Sequence, residues 1–482
     1  MNIRLVSPSS ATFLHLATES ARRVNSYVRI ILASALLLLG SGSARAQVNL
    51  QSLIDSTPVG GTLYLQGIVY PVTTTLVISH PITIMGTGYA TFITGDPGNA
   101  PLVTVNQTTG VVFDAIRFRN THVAAAGEIS YVNIWFDRST QSSVVGCWFT
   151  GGRTATDMTG SSHISVTSNV MDALFDVAVA ANGNSSYLTI SHNHISNTVT
   201  STDPGPPHDI NLEDASNSQV TNNLIIESPT GFTQLESSGI QVATNHNPSL
   251  QNVNISGNVL RHSVGGTANV GIIVSGHPSV TFNNVQVTNN VITDFATGIQ
   301  YGEAVPNGVL IYGNQIEGFY KTGIYATSSM DGNGASIAAT NFQINSNHLV
   351  GVAGKGGGSG IRLVLWKNLQ VGDNHTELSG GSGISLEGVV SSTVSGSVVY
   401  DNSQETPATY DGIAVLPSPG GTVVSSGNLI SSSMAYDDET TPRQLYGIYI
   451  AKGSLDNTIS GVQAWGNIGG AVKDLGTGTK LN

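Results

Sequence analysis

From about residue 160 onward the chain repeats one hydrophobic–polar pattern. An apolar residue, two polar or small residues and an Asn are followed by a second short apolar segment. Val166-Thr167-Ser168-Asn169, Ile190-Ser191-His192-Asn193, Val220-Thr221-Asn222-Asn223 and Ile255-Ser256-Gly257-Asn258 are four copies. The series continues at 287–290, 311–314, 344–347 and 371–374, with degenerate copies at 394–397 and 424–428 and spacings of 23 to 35 residues. A second mark, Gly-Ile-x-apolar, lies upstream of most copies, at Gly239, Gly271, Gly298, Gly323, Gly360, Gly383, Gly412 and Gly447. Short alternating runs separated by Asn, Gly and Ser predict many short strands, each with one buried face.

A unit this small cannot bury its apolar face alone, so the repeats must stack. The expected arrangement is a parallel coil with three strands per turn, successive turns about 4.8 Å apart and Ile, Val and Leu inside. Roughly a dozen turns would make a rod about 60 Å long. The recurrent Asn is expected at the sharp bend, in the left-handed conformation, hydrogen-bonded to its counterparts above and below. A β-propeller needs longer, more regular periods with Trp-Asp marks, which are missing. Residues 47–482 therefore read as one solenoid domain.

Before the repeats, 47–58 predicts a short helix with Leu50, Leu53 and Ile54 on one face. Gly60-Gly61, two strands and Gly86-Thr87-Gly88 follow. This order resembles the start of pectin lyase-like proteins, and the repeats resemble that family over nearly the whole of 47–482. The resemblance implies an all-β, single-stranded right-handed parallel β-helix, with the helix capping the open end of the first coil.

Residues 1–46 read as a secretory signal: arginines at 4, 22, 23 and 29, an apolar run over 30–39, then Ala44-Arg45-Ala46 before a cut at Gln47. The apolar run is short for a membrane span. The chain carries a net charge of −12, and −16 without residues 1–46, which hold five arginines and one glutamate. That balance disfavours nucleic acid and anionic membranes as partners. The expected product is a secreted or periplasmic monomer. The single cysteine, Cys147, sits among Val144, Val145, Trp148 and Phe149 and reads as a buried small hydrophobe.

Candidate chemistry concentrates in the early coils. Aligning the strand starts places Asp209 at the Gly position, with Asp176 stacked on it one coil earlier, about 5 Å away. Asp157, Asn211 and Gln241 fall in the next outward column, and Asp137 and Glu213 beyond. His208 stands at the mouth of the strand. Trp135, Arg138 and Arg153 border the patch, Trp135 as a sugar-stacking ring. Stacked carboxylates are unfavourable unless a proton or cation is shared, so the cluster is a functional candidate. Asp176, His208 and Asp209 are the candidate catalytic groups. Trp135, Arg138, Arg153, Asn211 and Gln241 are the candidate substrate contacts, and Asp157 and Glu213 the candidate ligands for calcium. Later coils hold mostly uncharged outward residues. The insertions 404–410 and 433–446 read as solvated loops overhanging the same face.

The motif set of polygalacturonases is absent. The stretch Asp203-Pro204-Gly205-Pro206-Pro207-His208-Asp209 is similar to the Asp-Pro-His-Asp motif of mannuronan epimerases, a resemblance that makes His208 and Asp209 a proton-transfer pair. A β-eliminating lyase would instead use a cation such as Arg138, Arg153 or Arg261 as base. Two function classes follow. One is a carbohydrate-active enzyme, whether lyase, hydrolase or epimerase, acting on a polysaccharide that can contain uronates. The other is a non-enzymatic glycan-binding or cell-surface rod.

Overall fold

The computed structural model describes residues 49–125, 127–198, 207–227, 237–244, 247–262, 269–328, 337–353 and 356–482. Residues 1–46, read above as a secretory signal, and most of the Ser/Thr/Pro stretch before His208 lie outside the described residues. From Leu50 to Asn482 the chain is one compact unit.

Three parallel sheets of 16, 15 and 15 strands run the length of this unit. Each coil contributes one strand to each sheet, and every strand pairs with the one three places later. The first sheet runs from Gly61–Tyr64 to Lys480–Leu481, the second from Val69–Val72 to Gln463–Trp465 and the third from Leu76–Ile78 to Gly470–Asp474. Fifteen full coils exceed the dozen expected, and at one rung each they span about 70 Å.

Alternation sets the inside and the outside. Val111–Asp114 and Ile134–Asp137 bury every second side chain. Their phenylalanines join one continuous core in which Phe118 and Phe149 stack with ring centres 5.2 Å apart. The helix Leu50–Ser56 buries Leu50 and Ile54 against the first coil. Its Gln51 amide donates to Val77 O at 2.9 Å and accepts from Val77 N at 2.8 Å, filling the edge that a preceding rung would otherwise fill.

The recurrent asparagines form one buried ladder from Asn169 through Asn193, Asn223, Asn258, Asn290, Asn314 and Asn347 to Asn374. Each backbone N–H and each Nδ2 donates to Oδ1 of the next asparagine at 2.9–3.0 Å. The remaining Nδ2 hydrogen reaches a carbonyl of the preceding coil, as from Asn223 to Ile190 O at 3.0 Å. The expectation that these asparagines hold the left-handed conformation is corrected. Positive φ belongs to the residue just before each one: Ser168, His192, Asn222, Gly257, Asn289, Gly313, Ser346 and Asp373. The preceding residue makes the turn, which leaves the ladder amide free to point inward. Cys147 takes the ladder position one coil earlier, donating its N–H to Asn169 Oδ1 at 2.9 Å. Burial pushes its thiol up to about 12, so it is an inert filler.

Asn223→Ala removes the acceptor for Asn193 and orphans a buried N–H, so it should destabilise the chain by about 3 kcal/mol. Asn222→Gly should be neutral or slightly stabilising, because glycine takes φ near +55° without strain. Chemical-denaturation midpoints of the two variants check this; equal destabilisation would place the turn and the ladder on the same residue.

Candidate functional site

The outward face of the third sheet is built from rows of side chains one rung apart. One row runs from Trp135 through Asp157, Ala180, Asn211, Gln241, Ile273, Gln300 and Tyr325 to Arg362. The expected alignment of Asp157, Asn211 and Gln241 is therefore present, with Trp135 stacked one rung before Asp157.

The expected stacking of Asp176 on Asp209 is not. The register pairs Val177 with His208 and Val179 with Ile210, which sets Ala178 opposite Asp209. Asp176 lies outside the ladder, and its backbone oxygen accepts from His208 N at 3.2 Å. Its carboxylate meets Arg153 Nη2 at 2.7 Å, and Arg153 Nη1 also donates to Ile129 O at 3.3 Å. Arg138 is bidentate to the adjacent Asp137, at 3.0 and 2.9 Å. Arg261 belongs to the second sheet, on another face.

Alternation fails at the start of the third-sheet strands from Thr154–Thr159 to Thr322–Thr327, whose first three residues are all buried. The row His208–Ser238–Val270–Thr297–Thr322 faces outward, and its last three members line a surface groove. The next row, Asp209–Gly239–Gly271–Gly298, turns inward. A Cβ on Gly239 would sit 2.6 Å from Leu260 Cδ2 and 3.5 Å from Glu227 Oε1, both on the second sheet. This close approach is the physical reason for the repeated glycine. It also makes neighbouring His208 and Asp209 diverge.

Asp209 is thus an interior carboxyl. It accepts from Thr198 Oγ1 at 2.6 Å, and its Oδ2 has no hydrogen-bond partner among the described residues. Burial pushes it up to about 7, and burial together with Asp209 raises Glu227 as well. Two buried carboxyls whose charges repel each other do not both ionise. Glu227 also lies 3.7 Å from His262 Nε2. His208, by contrast, shares a hydrogen bond with Ser238 Oγ at 2.9 Å, and burial pushes it down to about 4, so it is neutral at pH 7.

On the outward row, burial pushes Asp157 up to about 6, against the opposing pull of Arg153. Asn182 Nδ2 reaches its Oδ1 at 3.3 Å, and Trp135 Nε1 donates to Thr159 Oγ1 at 3.0 Å. Asn211 Oδ1 is buried with no hydrogen-bond partner among the described residues. Asp157 and Glu213 stand two rungs apart in different rows, about 10 Å along the rod. That separation, with hydrogen-bond donors already turned toward Asp157, does not make one calcium shell.

A deep groove on this face lies further along, where the sequence reading expected little. A groove of about 850 Å³ runs from Asn269 to Leu416. Gln300, Tyr325 and Arg362 from the outward row contribute to its lining, and so do Tyr320 and Tyr410. Arg362 is bidentate to Glu387 at 2.8 and 2.8 Å, and its guanidinium lies 5.6 Å from the Tyr325 ring centre. Ser385 Oγ donates to the same carboxylate at 3.0 Å. The backbone at Gly356–Gly358 lies against Tyr320 and Lys321 so closely that a Cβ on Gly358 would meet Lys321 O at 0.9 Å. The insertion 404–410 is solvent-exposed over Glu405–Thr409, as expected, whereas 433–446 is pinned at a buried carboxylate. Buried Asp437 accepts from the backbone N–H of Glu439, Arg443 and Gln444 at 3.1, 2.6 and 2.7 Å.

Residues 280–464 match the family model described as right handed beta helix region. The chain is a right-handed parallel β-helix protein. Within the helix, residues 93–273 match the model described as periplasmic copper-binding protein (NosD). No curated protein matches the chain. Among solved structures, a point mutant of the tailspike protein of E. coli bacteriophage HK620 in complex with pentasaccharide matches at 13% identity over 90% of this chain and 76% of the other, with a TM-score of 0.53. A second tailspike mutant with pentasaccharide matches at 13% identity, 88% and 76% coverage and a TM-score of 0.51. The A-module of an Azotobacter vinelandii mannuronan C-5 epimerase matches at 15% identity, 92% and 97% coverage and a TM-score of 0.38. Identities this low bear on fold alone. No helix among the described residues is long and apolar enough to cross a membrane.

Burial of Asp209 and of His208 sets opposing pH slopes. Asp209 binds its proton more tightly in the fold than in the unfolded chain, where its value is near 3.8. Its contribution to stability is therefore full below about pH 4 and is lost as the pH rises toward neutrality. His208, lowered from 6.5 to about 4, is opposite: stability rises from about pH 4 to about pH 6.5. In thermal melts across this range, Asp209→Asn should steepen the rise toward neutral pH, and His208→Gln should expose the fall. Curves parallel to wild type would contradict the interior assignment.

Proposed function

We propose that this β-helix is an exported protein that lays a polysaccharide along the outward face of its third sheet. The carrying observation is the groove over Gln300, Tyr325 and Arg362 with Tyr320 and Tyr410 among its lining residues. Sugar rings present apolar C–H faces to aromatic rings and hydroxyls to fixed polar groups, and the groove supplies both. Arg362 is held by Glu387 through Nε and Nη2, which leaves Nη1 as a positioned donor for a hydroxyl or a uronate carboxylate. The row continues from this groove through Gln241 and Asn211 to Asp157 and Trp135, so these residues extend the binding track. Arg138 and Arg153 act in this reading through the carboxylates they hold. The pentasaccharide named in the tailspike structures supports a sugar chain as the ligand class. The leader pattern of residues 1–46 and the periplasmic description of the matched model support export.

A second reading, catalysis on the bound chain, is favoured by Asp157. Its carboxyl is held up to about 6 on the same row as the groove, where a general acid or base can work near neutral pH. In this reading Asp157 moves the proton, and Asp176, His208 and Asp209 shape the strand starts beside it. Whether the chemistry is elimination, hydrolysis or epimerisation is read from the product. Calcium is not needed at Asp157 and Glu213, and among the described residues of 93–273 no three His, Cys, Asp or Glu side chains converge to hold copper.

Affinity electrophoresis against neutral and uronate-containing polysaccharides, with calcium and with chelator, tests the binding reading. Wild type should be retarded by at least one polymer equally in both conditions, and Tyr325→Ala should weaken retention at least tenfold. Absence of retention by any polymer would end the reading, and full retention by Tyr325→Ala would move binding off the groove. In the same reactions Asp157→Asn should abolish any unsaturated-uronate or reducing-end product while retaining binding.

A further inference from the structure

On the second sheet, away from the groove, the strands His348–Gly351 and His375–Glu377 are neighbours. Their register pairs His348 with His375 and Val350 with Glu377. Leu349 and Thr376 are buried between them, so the two histidines and Glu377 point outward together. The imidazoles stand edge to face at 88° with ring centres 4.8 Å apart. His348 Nε2 is 3.6 Å from Glu377 Oε1. One rung on, Tyr400 donates its hydroxyl to Glu377 Oε2 and fixes that carboxylate.

One ligand atom from each of His348, His375 and Glu377 lies within 4.8 Å of the others, the only such group of three among the described residues. His375 Nε2 is buried and has no hydrogen-bond partner among the described residues. A buried ring nitrogen without a partner is unfavourable, and a cation between the rings would satisfy it. A tetrahedral site with metal–nitrogen bonds of 2.0–2.1 Å needs its ligands about 3.3 Å apart. Half-exposed His348 can close the difference by side-chain rotation. Two imidazoles and one carboxylate suit late first-row metals, whereas calcium and magnesium prefer all-oxygen shells. The tyrosine behind the carboxylate is the kind of outer support that fixes a metal ligand's orientation.

We propose that His348, His375 and Glu377 form a binding site for a late first-row divalent cation such as Zn²⁺ or Cu²⁺, with Tyr400 as a positioning residue. The site lies on a different sheet from the polysaccharide groove and is independent of that reading. A solvent position completes the coordination. Tyr436 stacks on Tyr400 with ring centres 5.0 Å apart and Trp465 stacks on Tyr436 at 4.4 Å, which places a fluorophore at the end of the same row.

The test uses the chain without a histidine tag, stripped with chelator and titrated with Zn²⁺ by calorimetry. Wild type should take up one Zn²⁺ per chain. His348→Gln and His375→Gln should each weaken uptake at least tenfold, and Tyr400→Phe several-fold. His194→Gln, an exposed histidine elsewhere on the same sheet, should leave it unchanged. Circular dichroism and melts without metal establish that each variant is folded. Cu²⁺ should quench fluorescence in wild type, and Trp465→Phe should remove most of the quench. Ca²⁺ should not compete. No Zn²⁺ uptake by wild type, or equal uptake by the folded His348→Gln/His375→Gln double variant, would overturn the proposal.

Discussion

The structure depends on satisfying a buried amide at every coil. An inward-pointing asparagine side chain in an apolar core is unfavourable unless all its hydrogen-bonding groups are met. Stacking solves this by repetition. Each Oδ1 takes two donors from the preceding ladder residue, and each Nδ2 bridges to the coils on either side. The ladder therefore fixes the register along the rod, because a slip of one residue would leave a carboxamide and a backbone N–H unpaired at the bend. With register fixed, side chains far apart in sequence become neighbours one rung apart, and both candidate sites are built from such neighbours.

The same repetition made the fold legible and part of the chemistry illegible. Asn169 to Asn374 recur after one apolar and two polar or small residues, so the coil and its bend could be read from letters alone. The conformation of the bend could not. Ser168, His192 and Asn222 carry the positive φ, and nothing in their side chains distinguishes them from the ladder residue that follows. Period-two reasoning also failed at the corner before the third sheet. There two consecutive residues turn inward, so Asp209 joins Glu227 inside instead of Asp176 outside. The recurring glycine was the available signal. A position that accepts only hydrogen opposite Leu260, Ile292 and Ile316 is a position of close packing, and a carboxyl placed there is an interior group.

The groove was missed for a different reason. Gln300, Tyr325 and Arg362 belong to three coils, and each alone looks like an ordinary outward residue. Glu387, which holds Arg362, comes from the next coil and the neighbouring row. Comparing the residue two places after each repeated glycine would have lined up Gln241, Gln300, Tyr325 and Arg362. Charge density drew attention to the early coils, yet much of that charge is internally paired: Asp137 with Arg138 and Asp176 with Arg153. A binding surface for a mostly uncharged polymer is better marked by aromatic rings and amides than by carboxylates.

The two outward faces differ in what their rungs present. On the third sheet, an amide, a phenol and a guanidinium follow one another along three successive rungs. On the second sheet, two imidazoles meet a carboxylate over a single rung, followed by stacked phenols and an indole whose faces are spent on each other. Within that row Tyr400 and Tyr436 are stacked rung on rung, which suits a rigid support, and Trp465 on the last strand is half-exposed. One scaffold rule, side chains held at a fixed rung spacing, thus yields an extended row of groove-lining groups on one face and a compact cluster of two imidazoles and a carboxylate on another. The distinction rests on whether the rings lie open to the groove or stack along the rod.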